Sequence, residues 1–244
     1  MMTTSVIEAH PDFASEILGN TRDITVYVPP GYEESEERYP VLYMQDGQNL
    51  FDPKTAAFGV EWEAGKTTDR LIGEGRAEPM IIVGIANTPD RFAEYSTDKG
   101  ADYAQFVADE LKPFIDKTYR TRPEREWTAI GGSSMGGLAA ILVCLERPEI
   151  FGRCAAFSPS LWYAGEEFVD RIEKALPDMP DTHFRILVGK NEGGGVMRKG
   201  ALWLRDALRR ADHPRWRYCE FAETNHDEAS WAKQLPLVLP ELWT

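Results

Sequence analysis

Cysteine is scarce. Cys144, Cys154 and Cys219 are the only three in 244 residues, with no CxxC spacing and no histidine beside any of them. This excludes a disulfide framework and leaves no ligand set for a structural zinc. No metal or other cofactor is therefore expected, and all three thiols read as small core residues. Basic charge is also short, with 27 lysines and arginines against 40 aspartates and glutamates, a formal charge of −13. Such a surface repels phosphate backbones and anionic lipid headgroups, so neither nucleic acid nor a membrane is an expected partner. Long apolar runs are missing too: no stretch reaches the roughly 18 residues a membrane span needs. The opening MMTTSVIEAHPDFASEIL has no basic region followed by an apolar one, so no secretory leader is read there. The expectation is a cytoplasmic protein whose thiols stay reduced.

What is present is ordinary globular composition, 43% hydrophobic and 27% charged, in a chain whose length suits one domain over residues 1–244. Apolar runs rich in β-branched residues at 24–29, 41–45, 80–86, 127–131, 154–158, 184–189 and 216–222 predict strands. Between them apolar residues recur at three- and four-residue spacing. Tyr103, Phe106, Val107, Leu111, Phe114 and Ile115 form one such set, Leu138, Ile141, Leu142 and Leu145 a second, and Leu202, Leu204 and Leu208 a third. These predict helices. The run at 80–86 is apolar on both faces, as a parallel strand covered on each side must be. The predicted class is α/β, a mostly parallel central sheet with helices on both faces. At the C-terminus, Trp231, Leu235, Val238, Leu239 and Leu242 keep helical spacing despite two prolines, which predicts a terminal helix interrupted at Pro236 and Pro240.

The strand at 127–131 runs into Gly132-Ser133-Ser134-Met135-Gly136-Gly137, and a helical run begins at Leu138. A serine at such a strand–turn–helix junction projects its hydroxyl above the sheet, and glycines two positions to either side let backbone segments pass closely. Only Ser134 has glycines at both of those positions, so Ser134 is the candidate nucleophile. The helix after it aims its N-terminal dipole at a developing oxyanion, and the Met135 amide is the first expected donor.

A serine hydroxyl needs a neutral imidazole to take its proton. Of four histidines, His10 is read as preceding the first strand, His183 begins a strand and His213 precedes the last one. Only His226 follows the C-terminal end of a strand, the rim where α/β sites collect. His226 is the candidate base. The orienting carboxylate is expected between serine and histidine, on a loop after an intervening strand. Glu192, just past the strand at 184–189, fits that position, whereas Asp178 and Asp181 lie before that strand, and Asp206 and Asp212 lie on or after the following helix. The second oxyanion donor is expected in the loop after 41–45, where the Gln48 amide is the first choice, with Gly47 and Asn49 as alternatives.

Several segments together carry a resemblance. Residues 22–32 (RDITVYVPPGY), 39–51 (YPVLYMQDGQNLF), 91–95, 112–116, 119–121, 131–137 and 158–162 resemble the esterase D-like family of α/β-hydrolases. That family includes feruloyl and acetylxylan esterases, siderophore trilactone esterases, S-formylglutathione hydrolase and mycolyltransferases. The resemblance implies the α/β-hydrolase fold and Ser134, Glu192 and His226 as a triad acting on a small-molecule ester through an acyl-enzyme. The Gln45-Asp46-Gly47 segment stands where formylglutathione hydrolases carry His-Gly, which argues against that activity. Trp62 and Trp162 are candidate walls of an acyl or sugar pocket, with core packing as the alternative. The expected function is hydrolysis of carboxylic esters, on acylated carbohydrates or siderophore-like esters. Acyl transfer to a sugar or lipid hydroxyl, or a non-catalytic binding domain on the same fold, are the competing readings. Oligomeric state is left open.

Overall fold

A computed structural model describes residues 4–179 and 181–243. Eight strands form one sheet in the order β1-β2-β4-β3-β5-β6-β7-β8. In chain order they are β1 (Val6–Ser15), β2 (Asn20–Val28), β3 (Val41–Gln45), β4 (Ile81–Ile85), β5 (Thr128–Ser133), β6 (Arg153–Phe157), β7 (His183–Gly189) and β8 (Trp216–Phe221). The β1/β2 and β2/β4 pairs are antiparallel, and every pair from β4 to β8 is parallel. The helices are α1 (Ala64–Gly73), α2 (Arg91–Glu94), α3 (Gly100–Gln105), α4 (Lys112–Thr118), α5 (Met135–Glu146), α6 (Leu161–Ala164), α7 (Glu166–Ala175), α8 (Val196–Arg210) and α9 (Glu228–Val238). A π-helical stretch, Phe106–Leu111, joins α3 to α4 without a break.

The strands at the centre, β3, β4 and β5, are buried along their whole length. Each face meets a different layer of helices, which explains why β4 is apolar throughout. Tyr103, Phe106 and Leu111 from the α3–α4 segment, Leu138 to Val143 from α5, Val169 from α7 and Leu204 from α8 cover one face. Leu71 of α1 and Trp231, Leu235 and Val238 of α9 cover the other. Helix α5 runs through the middle of the first layer with Met135 through Cys144 all buried, so it shows almost no amphipathic bias. Among the described residues no helix is long and apolar enough to cross a membrane.

Four expectations change. The strand β1 went unread because its side chains are almost all exposed; its ladder to β2 holds it, and His10 lies within it, paired opposite Ile24. Helix α9 continues through Pro236 and gives way only at Leu239–Glu241, around Pro240. Pro236 removes the hydrogen bond to the Ala232 carbonyl, but both residues are part-exposed, so water can satisfy that oxygen. Cys144 and Cys154 are buried as expected, whereas Cys219 is exposed, on the edge strand β8. The last three strand estimates otherwise agree with β6, β7 and β8 to within a residue or so.

Candidate active site

Because β3, β5, β7 and β8 are parallel, the loops leaving their C-terminal ends open on one rim. Ser134 leaves β5, Glu192 leaves β7, His226 follows β8, and the turn Gly47–Asn49 leaves β3. The sheet thus converts four distant sequence positions into neighbours.

Ser134 has φ 56° and ψ −121°, a backbone conformation disfavoured for a residue with a Cβ and costing on the order of 1–3 kcal/mol. Its surroundings hold it there: its N–H donates to the Phe157 carbonyl at 2.9 Å, and its carbonyl accepts from Ser160 N at 2.9 Å and from Leu138 N at 3.1 Å. The flanking glycines are required by contact distance. A Cβ on Gly132 would stand 2.7 Å from the Gly136 carbonyl oxygen, and one on Gly136 would stand 2.9 Å from the Gln45 Cβ.

The His226 Nε2 lies 2.9 Å from the Ser134 Oγ, and its Nδ1 lies 3.0 Å from Glu192 Oε2. A carboxylate can only accept, so Nδ1 carries the proton and Nε2 turns its lone pair to the serine. Glu192 is buried and is itself fixed, its Oε1 accepting from Gly189 N at 2.7 Å and from Thr224 Oγ1 at 3.2 Å. The imidazole also rests edge-on against Trp231, with centroids 5.0 Å apart, and Trp231 is tied down by its Nε1 donating to Ser158 Oγ at 3.2 Å. The remaining histidines are engaged elsewhere: His10 with Tyr119 Oη, His183 with Arg153 and His213 with the Thr182 carbonyl.

Met135 opens α5, so its N–H is one of the amides that a helix leaves without an intrahelical acceptor. Gln48 sits in the turn after β3, and both Gln48 and Ser134 line a cavity of about 350 Å³. Asp46, Asn49, Asn87, Arg91, His226, Glu228 and Trp231 complete most of its wall. The turn is clamped. Asp46, at φ 55°, receives both Arg91 Nε and Nη2 at 2.7 Å and Asn87 Nδ2 at 2.6 Å, while its own N–H donates to Tyr95 Oη at 3.3 Å. Gln48 Oε1 accepts from Asn87 N at 3.2 Å. Gly47 allows this packing: a Cβ there would lie 2.3 Å from the Gly84 carbonyl carbon of β4. Nothing in the sequence joins Asp46 to Arg91, because 45 residues separate them and no local pattern pairs them.

The two tryptophans part company. Trp62 is 3% exposed, packs edge-on against Phe157 and tilted against Trp231, and is not among the cavity's lining residues. It backs the wall rather than forming it, which is the core alternative. Trp162 is 42% exposed on α6, beside Tyr163, with its Nε1 3.3 Å from Met197 Sδ. Ser160, two residues earlier, reaches within 3.3 Å of the Ser134 Oγ. A larger depression of about 730 Å³ over α1 and α9 holds none of Ser134, His226 and Glu192.

Comparison with known proteins agrees with this architecture. The family described as Putative esterase matches residues 15–242. An endo-1,4-beta-xylanase/feruloyl esterase of Xylanibacter ruminicola is 34% identical over 65% of the chain, and the match spans 22% of that relative. The iron(III) salmochelin esterase of Escherichia coli is 24% identical over 62% of the chain and 35% of its own length. The chain thus spans about a fifth to a third of these two curated relatives. A solved ferulic acid esterase superposes with a TM-score of 0.82 at 23% identity, covering 98% of each chain. With the sheet order and the family match over residues 15–242 in agreement, the chain belongs to the esterase family of α/β-hydrolases.

Proposed function

We propose that the protein is a serine esterase in which Ser134 attacks the carbonyl carbon of a small-molecule carboxylic ester. His226 takes the serine proton at Nε2 as the Oγ–C bond forms, and Glu192 holds the ring and offsets the imidazolium charge. The Met135 and Gln48 amides stabilise the oxyanion of the tetrahedral intermediate. Its collapse expels the alcohol, which leaves with the proton returned by His226, and a water activated by the same ring then hydrolyses the acyl-serine. The observation that carries this reading is the unbroken Ser134–His226–Glu192 relay, at 2.9 and 3.0 Å, with the basic nitrogen facing the hydroxyl.

Feruloyl and siderophore-like esters are the proposed substrate classes, supported by the relatives named above. The exposed aromatic side chains of Trp162, Tyr163, Phe92 and Phe58 near this rim suit a substrate with a flat apolar group. A kinetic screen of wild type and Ser134→Ala over acetyl, feruloyl and trilactone esters tests the proposal. It predicts turnover of at least one class, abolished in the variant; equal rates for the two proteins would remove Ser134 from the mechanism.

A further inference from the structure

One hydroxyl beside the nucleophile has no part in the relay. Ser160 is 1% exposed, and its Oγ lies 3.3 Å from the Ser134 Oγ and 3.9 Å from Met197 Sδ. It immediately precedes α6, where a serine side chain ordinarily accepts from an amide of the first helical turn, yet it makes no such bond. The residue is held by its backbone instead. Ser160 N donates to the Ser134 carbonyl at 2.9 Å, and the Ser160 carbonyl accepts from Tyr163 N at 2.9 Å. The side chain is thereby kept against Ser134 with its proton free of the helix.

The proton count gives the serine–serine bond its direction. Each hydroxyl carries one proton and two lone pairs. In the relay the Ser134 proton is directed at His226 Nε2, so Ser160 is the donor between the two serines. Its alternative acceptor, the Met197 thioether, is a weak one and already lies 3.3 Å from Trp162 Nε1. A donor to the Ser134 Oγ speeds a step only if the bond is stronger in the transition state than in the state before it. Before acylation Oγ is a hydroxyl oxygen and a good acceptor, so the bond is present throughout and changes that rate little. In the acyl-enzyme Oγ is an ester oxygen whose lone pair is drawn toward the carbonyl, and the bond is weak. Water then attacks the acyl carbon and gives a proton to His226. As the intermediate collapses, the C–Oγ bond breaks, its electron pair stays on Oγ, and His226 returns the proton there. We propose that Ser160 is a catalytic residue for deacylation, its hydroxyl donating to the Ser134 Oγ as that oxygen leaves the acyl carbon. This rests on the esterase reading and deepens it by giving the second half-reaction a donor of its own.

Rapid-quench intact-protein mass spectrometry during turnover of p-nitrophenyl acetate follows formation and decay of acetyl-Ser134 separately. In Ser160→Ala the acetyl-enzyme is expected to form within about twofold of the wild-type rate and to decay about tenfold more slowly, as for loss of one hydrogen bond to an oxygen gaining charge. Where decay limits turnover, kcat and KM fall together and kcat/KM stays nearly constant. Ser160→Thr keeps the hydroxyl and is expected to decay within about threefold of wild type. Should the added methyl prevent folding, Ser160→Cys, a weaker donor, is expected to decay at a rate between those of wild type and Ser160→Ala. No slowing of decay in Ser160→Ala, or equal slowing of formation and decay as packing damage alone would produce, overturns the role of Ser160. A wild type that neither forms acetyl-Ser134 nor releases nitrophenolate overturns the esterase reading itself.

Discussion

Arg91 grips Asp46 through two hydrogen bonds of 2.7 Å each, and that pair fixes the turn carrying one proposed oxyanion donor. Asp46 is buried in a left-handed conformation, and Arg91 is about a fifth exposed. Arg91→Ala would leave a buried carboxylate with only Asn87 for support. Breaking a buried pair from one side costs about 3–5 kcal/mol in full burial, and partial solvent access here reduces that to about 2–3 kcal/mol. Urea unfolding measures the loss. Because Gln48 moves with the turn, kcat for an ester should fall about 10- to 100-fold with KM less affected. Arg91→Lys restores the charge without the two-pronged contact and is expected to recover only part of either effect.

Glu192→Gln tests the orienting carboxylate. Glutamine can still accept from Gly189 N, but then presents an NH2 group to His226 Nδ1. That favours the tautomer with the proton on Nε2, which cannot take one from Ser134. The expected fall in kcat is about 10⁴-fold with the fold intact. A fall below tenfold would show that Glu192 does not set the tautomer.

Trp62 and Trp162 separate stability from binding. Trp62→Ala opens a cavity beneath Trp231 and should cost about 3–5 kcal/mol in thermal or urea unfolding. Trp162→Ala removes a half-exposed ring and should change stability by under about 1 kcal/mol, while raising KM for aromatic acyl esters more than for acetyl esters. Equal KM effects on both ester types would take Trp162 out of the pocket.

His183 gives the protein an acid limit. Burial, reinforced by Arg153, Arg215 and Arg185, lowers its pKa to about 4, and Arg153 Nη1 donates to its Nδ1 at 2.8 Å, which requires the neutral ring. The unfolded chain binds a proton near pH 6.5, so the stabilisation is fully present above that pH. It is lost as pH falls from about 6.5 to about 4. Allowing for a half-exposed ring, the loss is on the order of 1–2 kcal/mol. Urea midpoints at pH 7.5 and 4.5 should converge in part in His183→Gln; an unchanged pH dependence would contradict the assignment.

The sequence was most informative where one physical constraint dominated. The buried strands β3 and β4 are apolar on both faces, and the Gly132–Gly136 spacing reflects contacts that exclude a Cβ, so both are visible without coordinates. The convergence of Ser134, Glu192 and His226 on one rim was legible because parallel topology assigns every strand exit to a known rim, and the structure brings the three side chains within hydrogen-bond distance. What stayed hidden depends on tertiary pairing or on solvent. Strand β1 has no apolar alternation because most of its side chains are exposed and the ladder to β2 supplies much of what fixes it. The Asp46–Arg91 clamp joins the turn after β3 to the first residue of α2 and has no local signature. Glu228 looks like an ordinary helix-initiating acid until α9 is seen to turn it into the cavity. Pro236 looked like a stop because sequence cannot show that it and Ala232, whose carbonyl it strands, are part-exposed.

The central claim is that Ser134 is the nucleophile activated by His226, and intact-protein mass spectrometry after treatment with a fluorophosphonate tests it most directly. The account predicts one adduct per chain, mapped by peptide analysis to Ser134, with labelling slowed by at least about a thousandfold in His226→Ala. An enzyme that hydrolyses esters while remaining unlabelled at Ser134, or that labels equally fast without His226, would contradict it.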